Sequence, residues 1–399
     1  MPSSDTGLSN QEAADFTTDL RDPLSTVPAT GTHVVLLGTQ GGPIPGERAA
    51  TSSALVVDGN VYIIDAGSGL PVRFSEAGLA FNQVRAMFIT HLHSDHYSDY
   101  FNFFMLNWTN WNVDEQIIEL FGPGRASAGA PDGFQVPGLP DYAETPLITP
   151  ELPTPGLRDM TELFIKANAY DINERLRSTR RKNGRALDFT GVSGSPMFRT
   201  TDIALPEGSS LANPSPASEG FLIYQDEKVR VTAILVDHPP VFPAFAFRFD
   251  TAHGSVVFSG DTSPCANLVA LAQEADVLVN EVMAVDSAIE RFKGTHIYST
   301  MARQFLTAHT PLVGREAGDG LPDIPGVGTV ATRANAKALV LNHIYPGDGT
   351  VPDEEFLQGA KSEFEGTVVV GRDLMSVDVS KIAADQSSEW RKPILLPVS

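Results

Sequence analysis

The sequence predicts an α/β protein, a sandwich of two β-sheets with helices on its outer faces and a cap inserted between two halves. Short apolar strands alternate with helical patterns in residues 33–121 and again in 221–380, with a segment of different composition between them. Hydrophobic residues make up 42% of the 399 residues, which is enough for a sizeable core and excludes wholesale disorder.

The first half alternates strands with helices. The elements predicted in it are a strand at 33–38, a hairpin at 54–66, a helix near 71–79, a buried strand at 85–90, a helix at 97–108 and a strand at 116–121. The hairpin has Asp58-Gly59-Asn60 as its turn, because such residues adopt the left-handed conformation that tight turns need.

The middle of the chain predicts the cap. Eight prolines lie between Pro123 and Pro155, and a polar helical segment at about 158–182 and a loop at 206–220 follow. We therefore divide the chain into an N-terminal extension (1–32), a first half (33–121), an insert or cap (122–220) and a second half (221–399).

The second half again mixes strands and helices. The elements predicted in it are strands near 221–225, 229–237, 243–249, 255–259, 276–281, 337–342 and 367–379, and helices near 265–274 and 299–309.

Four potential metal ligands lie within six residues, directly after a buried strand: His91, His93, Asp95 and His96. In an extended segment alternate side chains point the same way, so His91 and His93 can reach one ion together. If Asp95 begins a helical turn, Asp95 and His96 project toward a neighbouring site. Imidazole and carboxylate groups suit zinc, and a single cysteine, Cys265, excludes a cysteine-based metal cluster.

Three more potential ligands share one placement, at the end of an apolar strand: His238, Asp261 and His343. Each is a weak signal by itself. Ligands at strand ends on one edge of a sandwich converge in space, so together with the first cluster they predict one metal centre.

These motifs, in this order, resemble those of the metallo-β-lactamase superfamily. The further matching segments are Leu36-Leu37-Gly38-Thr39, Asp65-Ala66-Gly67 and Ser259-Gly260-Asp261-Thr262. The resemblance implies an αββα sandwich that holds two metal ions, most simply two Zn²⁺, with Mn or Fe as alternatives. It implies that His91, His93 and His238 hold the first ion. It further implies that Asp95, His96 and His343 hold the second, with Asp261 bridging the two.

Other segments look like the ribonuclease Z and arylsulfatase-like branch of that superfamily. They are Gly38-Thr39-Gln40-Gly41-Gly42-Pro43 with Arg48, the string from Thr90 to His96, and Leu341-Asn342-His343. In ribonuclease Z an arm that grips tRNA lies between the positions of His238 and Asp261. Here 22 residues separate them and read as a plain hairpin. The missing arm and the net charge of −21 both argue against nucleic acid as a partner.

We therefore expect a dinuclear metal-dependent hydrolase of a small ester-like substrate: a carboxylic ester or lactone, an aryl sulfate or a phosphoester. Its nucleophile is expected to be a hydroxide that bridges the metals, since a water shared by two cations loses a proton near neutral pH. The alternative is a phosphodiesterase or ribonuclease Z-like nuclease that uses a basic cluster of the insert. That cluster comprises Arg175, Arg177, Arg180, Arg181, Lys182 and Arg185. A non-catalytic binding protein is disfavoured, because every ligand position is filled.

Asp95 and His296 are the predicted catalytic residues. His296 resembles the branch's additional histidine, which protonates the leaving group; the alternative is a surface or helix-capping histidine. His33, His253 and His309 have no motif context and are expected to be structural or exposed.

The predicted partner is a small-molecule substrate, with no membrane, because no run of about 18 apolar residues exists. A homodimer is compatible with the sequence. The N-terminus shows no signal peptide, so the cytoplasm is the default location, and a periplasmic or secreted protein is expected if the N-terminus has been trimmed.

Overall fold

A computed structural model describes residues 13–22, 24–42, 46–110, 117–126, 148–149, 151–178, 196–317 and 322–384. The strands of this part of the chain are β1 (Thr17–Asp19), β2 (Thr32–Gly38), β3 (Ser52–Val57), β4 (Asn60–Ile64), β5 (Val84–Phe88), β6 (Ile118–Pro123), β7 (Phe198–Ile203), β8 (Phe221–Gln225), β9 (Val229–Leu235), β10 (Phe245–Thr251), β11 (Gly254–Phe258), β12 (Val277–Met283), β13 (Ala338–Tyr345), β14 (Thr367–Val370) and β15 (Met375–Asp378). The helices are α1 (Leu70–Glu76), α2 (Ser94–Tyr97), α3 (Tyr100–Asn107), α4 (Leu157–Ala167), α5 (Ala169–Ser178), α6 (Ala266–Leu271), α7 (Val285–Glu290), α8 (Tyr298–Ala308), α9 (Val327–Arg333), α10 (Asp353–Lys361) and α11 (Val379–Ala384).

The strands form two sheets. The first has the order β1-β15-β2-β3-β4-β5-β6-β7, and the second has the order β14-β13-β12-β11-β10-β9-β8. Strands β4 to β7 of the first sheet run parallel to one another, as do strands β11 to β14 of the second. Within each parallel set the carboxyl ends meet at one edge of the sheet, and the loops at these edges carry the motif residues.

Three layers of apolar packing confirm the αββα sandwich. Phe88 of the first sheet and Phe247 and Phe249 of the second belong to one buried cluster between the sheets. A second cluster joins the outer face of the first sheet to α1, α3, α4 and α5, and a third joins the second sheet to α6, α9 and α10. Both sheets are thus covered on both faces, as near-continuous apolar strands require.

The structure extends the first sheet beyond the predicted first half. Strand β7 lies inside the predicted insert and pairs in parallel with β6, and β1, inside the predicted extension, pairs with β15. The helical segment of the insert is two helices, α4 and α5. In the described part of the chain no helix combines the length and the apolar character that crossing a bilayer demands.

The short connection between His238 and Asp261 is the predicted hairpin. Strands β10 and β11 pair in antiparallel fashion from Phe247 opposite Phe258 to Thr251 opposite Gly254. No helical or extended arm interrupts this part of the described chain.

Candidate metal centre

The loops that follow the strands bring the motif residues to one place. The segment after β5 contains His91 and His93, and α2 begins directly after it and carries Asp95 and His96. His238 follows β9, Asp261 follows β11, and His343 lies in β13. All seven predicted ligands fall into groups whose ligand atoms lie within 4.8 Å of one another.

The first group is His91, His93 and His238 with Asp261. His93 Nδ1 lies 3.0 Å from His91 Nε2 and 3.2 Å from His238 Nε2. Asp261 Oδ2 lies 4.0 Å and 3.9 Å from the Nε2 atoms of His91 and His238. Three imidazole nitrogens thus converge beside one carboxylate, which is the donor set that zinc prefers.

The second group is Asp95, His96 and His343. His343 Nε2 lies 3.4 Å from Asp95 Oδ2 and 3.2 Å from Asp261 Oδ2. The other oxygen of Asp261, Oδ1, lies 3.1 Å from His96 Nε2. Asp261 therefore faces both groups, the position that a bridging ligand would occupy.

The buried polar atoms of this site fit a bound metal. His96 Nε2 and Asp261 Oδ1 are both buried and neither makes a hydrogen bond, although they face each other. Burial holds the pKa of His91 and of His238 well below the usual value, so both rings are neutral, the form that binds a metal. At His96 burial also lowers the pKa, but the surrounding carboxylates outweigh it and raise the pKa well above the usual value.

Hydrogen bonds from outside the two groups orient the ligand rings. Asp65 Oδ2 accepts a hydrogen bond from His96 Nδ1 at 2.8 Å, and Asp65 Oδ1 accepts one from the Thr90 N–H at 2.8 Å. The carbonyl of Ala308 accepts one from His238 Nδ1 at 2.8 Å. The bonds from His96 and His238 leave the Nε2 atoms of these two rings for a metal.

Glu281 and His309 complete the site, and the sequence motifs did not identify either. His309 Nδ1 donates to Glu281 Oε2 at 2.8 Å, and the same oxygen lies 3.6 Å from His343 Nδ1. Burial lowers the pKa of His309, but the Glu281 carboxylate outweighs it and the pKa is raised. The signal available for Glu281 was its place at the end of a predicted strand, the same placement as that of Asp261.

Backbone pairing brings His309 to the metal ligands. The Met283 N–H donates to the Thr310 carbonyl and the Leu312 N–H donates to the Met283 carbonyl, at 3.0 Å and 2.8 Å. The helical hairpin α7–α8 therefore leaves β12 and returns to it, so that His309 faces Glu281. No local sequence pattern contains this contact.

His296 lies elsewhere. It is exposed in the turn that precedes α8. Among the described residues it belongs neither to the two groups above nor to a third group of potential ligands, which comprises Asp261, Glu281, His309 and His343. His33 and His253 are likewise away from the centre: His33 is buried and contacts the Thr30 carbonyl, and His253 contacts Asp58. Of the four histidines outside the ligand motifs, the structure brings His309 to the site.

Comparisons with known proteins agree with the motif and the fold. Residues 33–106 match the family model described as "Anti-Pycsar protein Apyc1". The chain is 27% identical over 349 residues to ribonuclease Z of Mycobacterium bovis (strain BCG / Pasteur 1173P2), a match that covers 87% of this chain and 98% of that protein. The crystal structure of human tRNase Z, short form, is similar with a TM-score of 0.51 and 19% identity, over 87% of this chain and 99% of that one. The metallo-β-lactamase fold protein YhfI of Bacillus subtilis is similar with a TM-score of 0.48 and 14% identity, over 86% of this chain and 97% of that one.

The comparisons overturn the expected partner. A small-molecule substrate, with nucleic acid disfavoured, is wrong, because the curated relatives that match nearly from end to end are ribonucleases. The physical reason is that the net charge of −21 averages over the whole surface, whereas nucleic-acid binding depends on a local surface. The αββα fold, the complete set of ligand motifs and the similarity to curated ribonucleases Z support a metal-dependent hydrolase with a metallo-β-lactamase fold, similar to the ribonuclease Z branch.

Proposed function

We propose that the protein is a phosphodiesterase that cleaves RNA, with a catalytic centre built for two metal ions. The observation that carries this proposal is the match to curated ribonuclease Z sequences over 98% of their length in a chain whose ligand groups are complete. Two adjacent ligand groups that share a carboxylate are the arrangement found in enzymes that hydrolyse phosphodiesters.

The seven proposed ligands divide between two metal positions. In this proposal His91, His93 and His238 hold one ion, and Asp95, His96 and His343 hold the other, with Asp261 shared. Zinc suits the mixture of imidazole and carboxylate, and Mn or Fe accepts the same donors. When bound, the ions supply an activated water and stabilise the negative charge that develops on the phosphoryl oxygens.

His309 is the residue that we propose to protonate the leaving oxygen. Its Nδ1–H is engaged by Glu281 at 2.8 Å, so the proton that it can deliver is the one on Nε2. Glu281 fixes the ring, and it also stabilises the protonated form of the ring. His296, the residue expected from the motif, is exposed and separated from the ligand groups, and a direct comparison of the two histidines decides between them.

The RNA-binding surface differs from that implied by the family arm, since β10 and β11 form a plain hairpin. We propose that the cap, residues 122–220, contributes the basic contacts. Within the described part of the cluster, Arg177 is exposed, whereas Arg175 lies 4.9 Å above the ring of Trp108 and donates to Asp171. The other four members, Arg180, Arg181, Lys182 and Arg185, lie outside the described residues.

Cleavage of a 3′-extended tRNA precursor at 50 to 300 mM salt tests this function. We expect cleavage that a chelator abolishes and that weakens steeply as salt rises, because RNA binding releases counterions. Replacing Arg177 with Ala should weaken binding and flatten the salt dependence, whereas replacing Arg21, an arginine of the N-terminal region that pairs with Asp19, should change neither. Indifference to salt, or no cleavage by the metal-loaded enzyme, would refute the proposal.

A further inference from the structure

The last of the predicted metal ligands has an unusual backbone. His343 is the extra residue of a β-bulge: Asn342 pairs with Glu281 and Ile344 pairs with Val282, which leaves His343 between them. Its φ is 43°, in the left-handed region that residues other than glycine rarely adopt. Such a conformation persists only where surrounding contacts hold it.

A neighbouring loop, of which residues 39–42 and 46–49 are described, holds the backbone next to His343. The Ile344 N–H donates to the Thr39 carbonyl at 2.8 Å, and the Gly41 N–H donates to the Ile344 carbonyl at 3.0 Å. Gly41 lies so close that an added Cβ would be 2.7 Å from the His343 carbonyl oxygen. The position of this loop therefore sets the position of the bulge.

A single carboxylate, that of Asp373, ties both ends of the loop. Asp373 Oδ1 accepts hydrogen bonds from the N–H and the hydroxyl of Thr39, at 3.0 Å and 2.8 Å. Asp373 Oδ2 accepts one from the Ala49 N–H at 2.7 Å and lies 3.3 Å from a guanidinium nitrogen of Arg73. The side chain is 11% exposed, so these charge-assisted bonds are largely shielded from water.

Asp373 also lies where the two sheets are connected. It follows β14 of the second sheet and precedes β15 of the first. Arg48, within the loop, donates to the Thr39 hydroxyl at 2.8 Å and to the Gly371 carbonyl at 2.6 Å, so the loop is joined to this connection twice. A neighbouring carboxylate, Asp353, binds Arg48 at 2.9 Å, and no hydrogen bond joins it to Thr39 or Ala49.

We propose that Asp373 is a positioning residue for the second metal: by clamping the segments 39–42 and 46–49 it holds the bulge that presents His343 to the ion. The inference rests on the proposed dinuclear centre. It does not place Asp373 in contact with metal or substrate. The clamp acts on one ligand of one group, so its loss should weaken one metal and spare the other, which a general loss of stability would not do.

The test is the affinity of each metal, measured by zinc competition with a chromophoric chelator. In Asp373→Ala we expect one zinc to bind at least tenfold more weakly and the other within twofold of wild type. Asp373→Asn should have an intermediate affinity for the weakened zinc. Its amide oxygen can still accept from Thr39, but its amide N–H would face the N–H of Ala49. Asp159→Asn is the matched control, because Asp159 likewise accepts a backbone N–H and binds an arginine but makes no contact with the described residues of the loop, and it should bind both ions as wild type does.

A second pair of variants tests the same contact from the loop side. Gly41→Ala places a methyl group against His343 and should reproduce the selective loss. Gly78→Ala, at a left-handed glycine with no atom within 4 Å of the added Cβ, should not. These variants decide the question if Asp373→Ala does not fold.

Two results would overturn the positioning role: wild-type affinity for both ions in the Asp373→Ala or Gly41→Ala variant, or an equal loss of both ions. Wild-type protein that binds a single zinc would instead remove the dinuclear assignment, and this inference with it.

Discussion

At the scale of single residues, Glu281 joins two functions. One of its oxygens faces both His309 Nδ1, at 2.8 Å, and His343 Nδ1, at 3.6 Å. The carboxylate thereby orients the proposed proton donor and also lies beside a proposed metal ligand. A change at Glu281 should therefore disturb both metal binding and proton transfer, whereas a change at His309 should disturb proton transfer alone.

His309→Ala should lower kcat on RNA by about 10²–10⁴, because general acid catalysis contributes that factor. Bis(p-nitrophenyl) phosphate should be affected far less, since nitrophenolate leaves without a proton. Steady-state kinetics on both substrates provide the measurement. His296→Ala is the control, and we expect it to retain activity. An equal loss of activity on both substrates in His309→Ala would contradict the acid role of His309. A larger loss in His296→Ala would assign that role to His296.

Asp261→Ala and His93→Ala should each lose metal and hydrolysis, since Asp261 faces both ligand groups and His93 lies between two imidazoles of the first. The measurement is metal content by mass spectrometry on the purified protein. Asp237→Ala is the control: it neighbours His238, but its carboxylate contacts Ser263, so it should keep both metals. Two metals per chain in Asp261→Ala would refute the shared position.

The motif segments were the predictable part of the site. Four proposed ligands lie within six residues, and three stand at the ends of predicted strands, where the run of apolar residues stops. Glu281 is also near a strand end, but a lone carboxylate there has many structural roles. His309 meets Glu281 only because Thr310 pairs with Met283, and this contact depends on how α7 and α8 fold back.

At the scale of secondary-structure elements, one aspartate joins three hairpin turns. Asp58 occupies the turn between β3 and β4, with φ at 47°, as its Asp-Gly sequence predicts. Its Oδ2 accepts from Lys228 Nζ in the β8–β9 turn, and its Oδ1 contacts His253 Nε2 in the β10–β11 turn, both at 3.0 Å. The turns at one end of the two sheets are thereby linked.

The Lys228 ammonium and the Gly31 N–H lower the pKa of Asp58 from 3.8 to about 2. Because the pKa is lower in the folded state, the carboxylate stabilises the protein above about pH 4, and this contribution is lost as the pH falls toward 2. Asp58→Asn should reduce the free energy of unfolding by about 1 kcal/mol at pH 7, the scale of partly exposed ion pairs.

The difference between wild type and Asp58→Asn should shrink between pH 4 and pH 2, as measured by urea unfolding at each pH. Glu227→Gln, at an exposed carboxylate in the same turn as Lys228, should show no such pH dependence. A difference that stays constant from pH 7 to pH 2 would contradict the assigned cause.

Strand β7 is an element that the sequence did not predict. Its residues, Phe198–Ile203, read FRTTDI and lie within the segment assigned to the cap on composition. The strand forms because β6 offers a parallel edge, with Ile118 opposite Phe198 and Pro123 opposite Ile203. Pairing of this kind is a tertiary effect that local composition does not encode.

At the scale of the whole molecule, the two sheets depend on a shared aromatic core. Phe88 has no exposed surface, and its ring lies 5.4 Å from that of Phe121 in its own sheet and 5.7 Å and 5.2 Å from those of Phe247 and Phe249 in the other. Phe88 also lies two residues before Thr90, which contacts Asp65. The packing between the sheets and the position of the segment that carries His91 and His93 are therefore coupled.

Phe88→Ala should lower the free energy of unfolding by about 3–5 kcal/mol, the cost of emptying a large buried site. Denaturant unfolding is the measurement. Leu24→Ala, at a side chain that is 92% exposed, should change stability little. A loss below about 1 kcal/mol at Phe88 would contradict the close packing of the two sheets.

The fold class followed from the order of strands and helices, and the net charge misled the choice of partner. A charge of −21 describes the average over the whole chain, whereas nucleic-acid binding depends on a local surface. The near full-length match to ribonuclease Z is information that composition does not hold.

The most direct test of a dinuclear RNA-cleaving centre is to add zinc back to metal-stripped protein and follow RNA cleavage at each step. We predict no cleavage without metal, and full cleavage only as the second equivalent per chain binds. Cleavage by the metal-free protein, or full activity at one equivalent, would contradict the account.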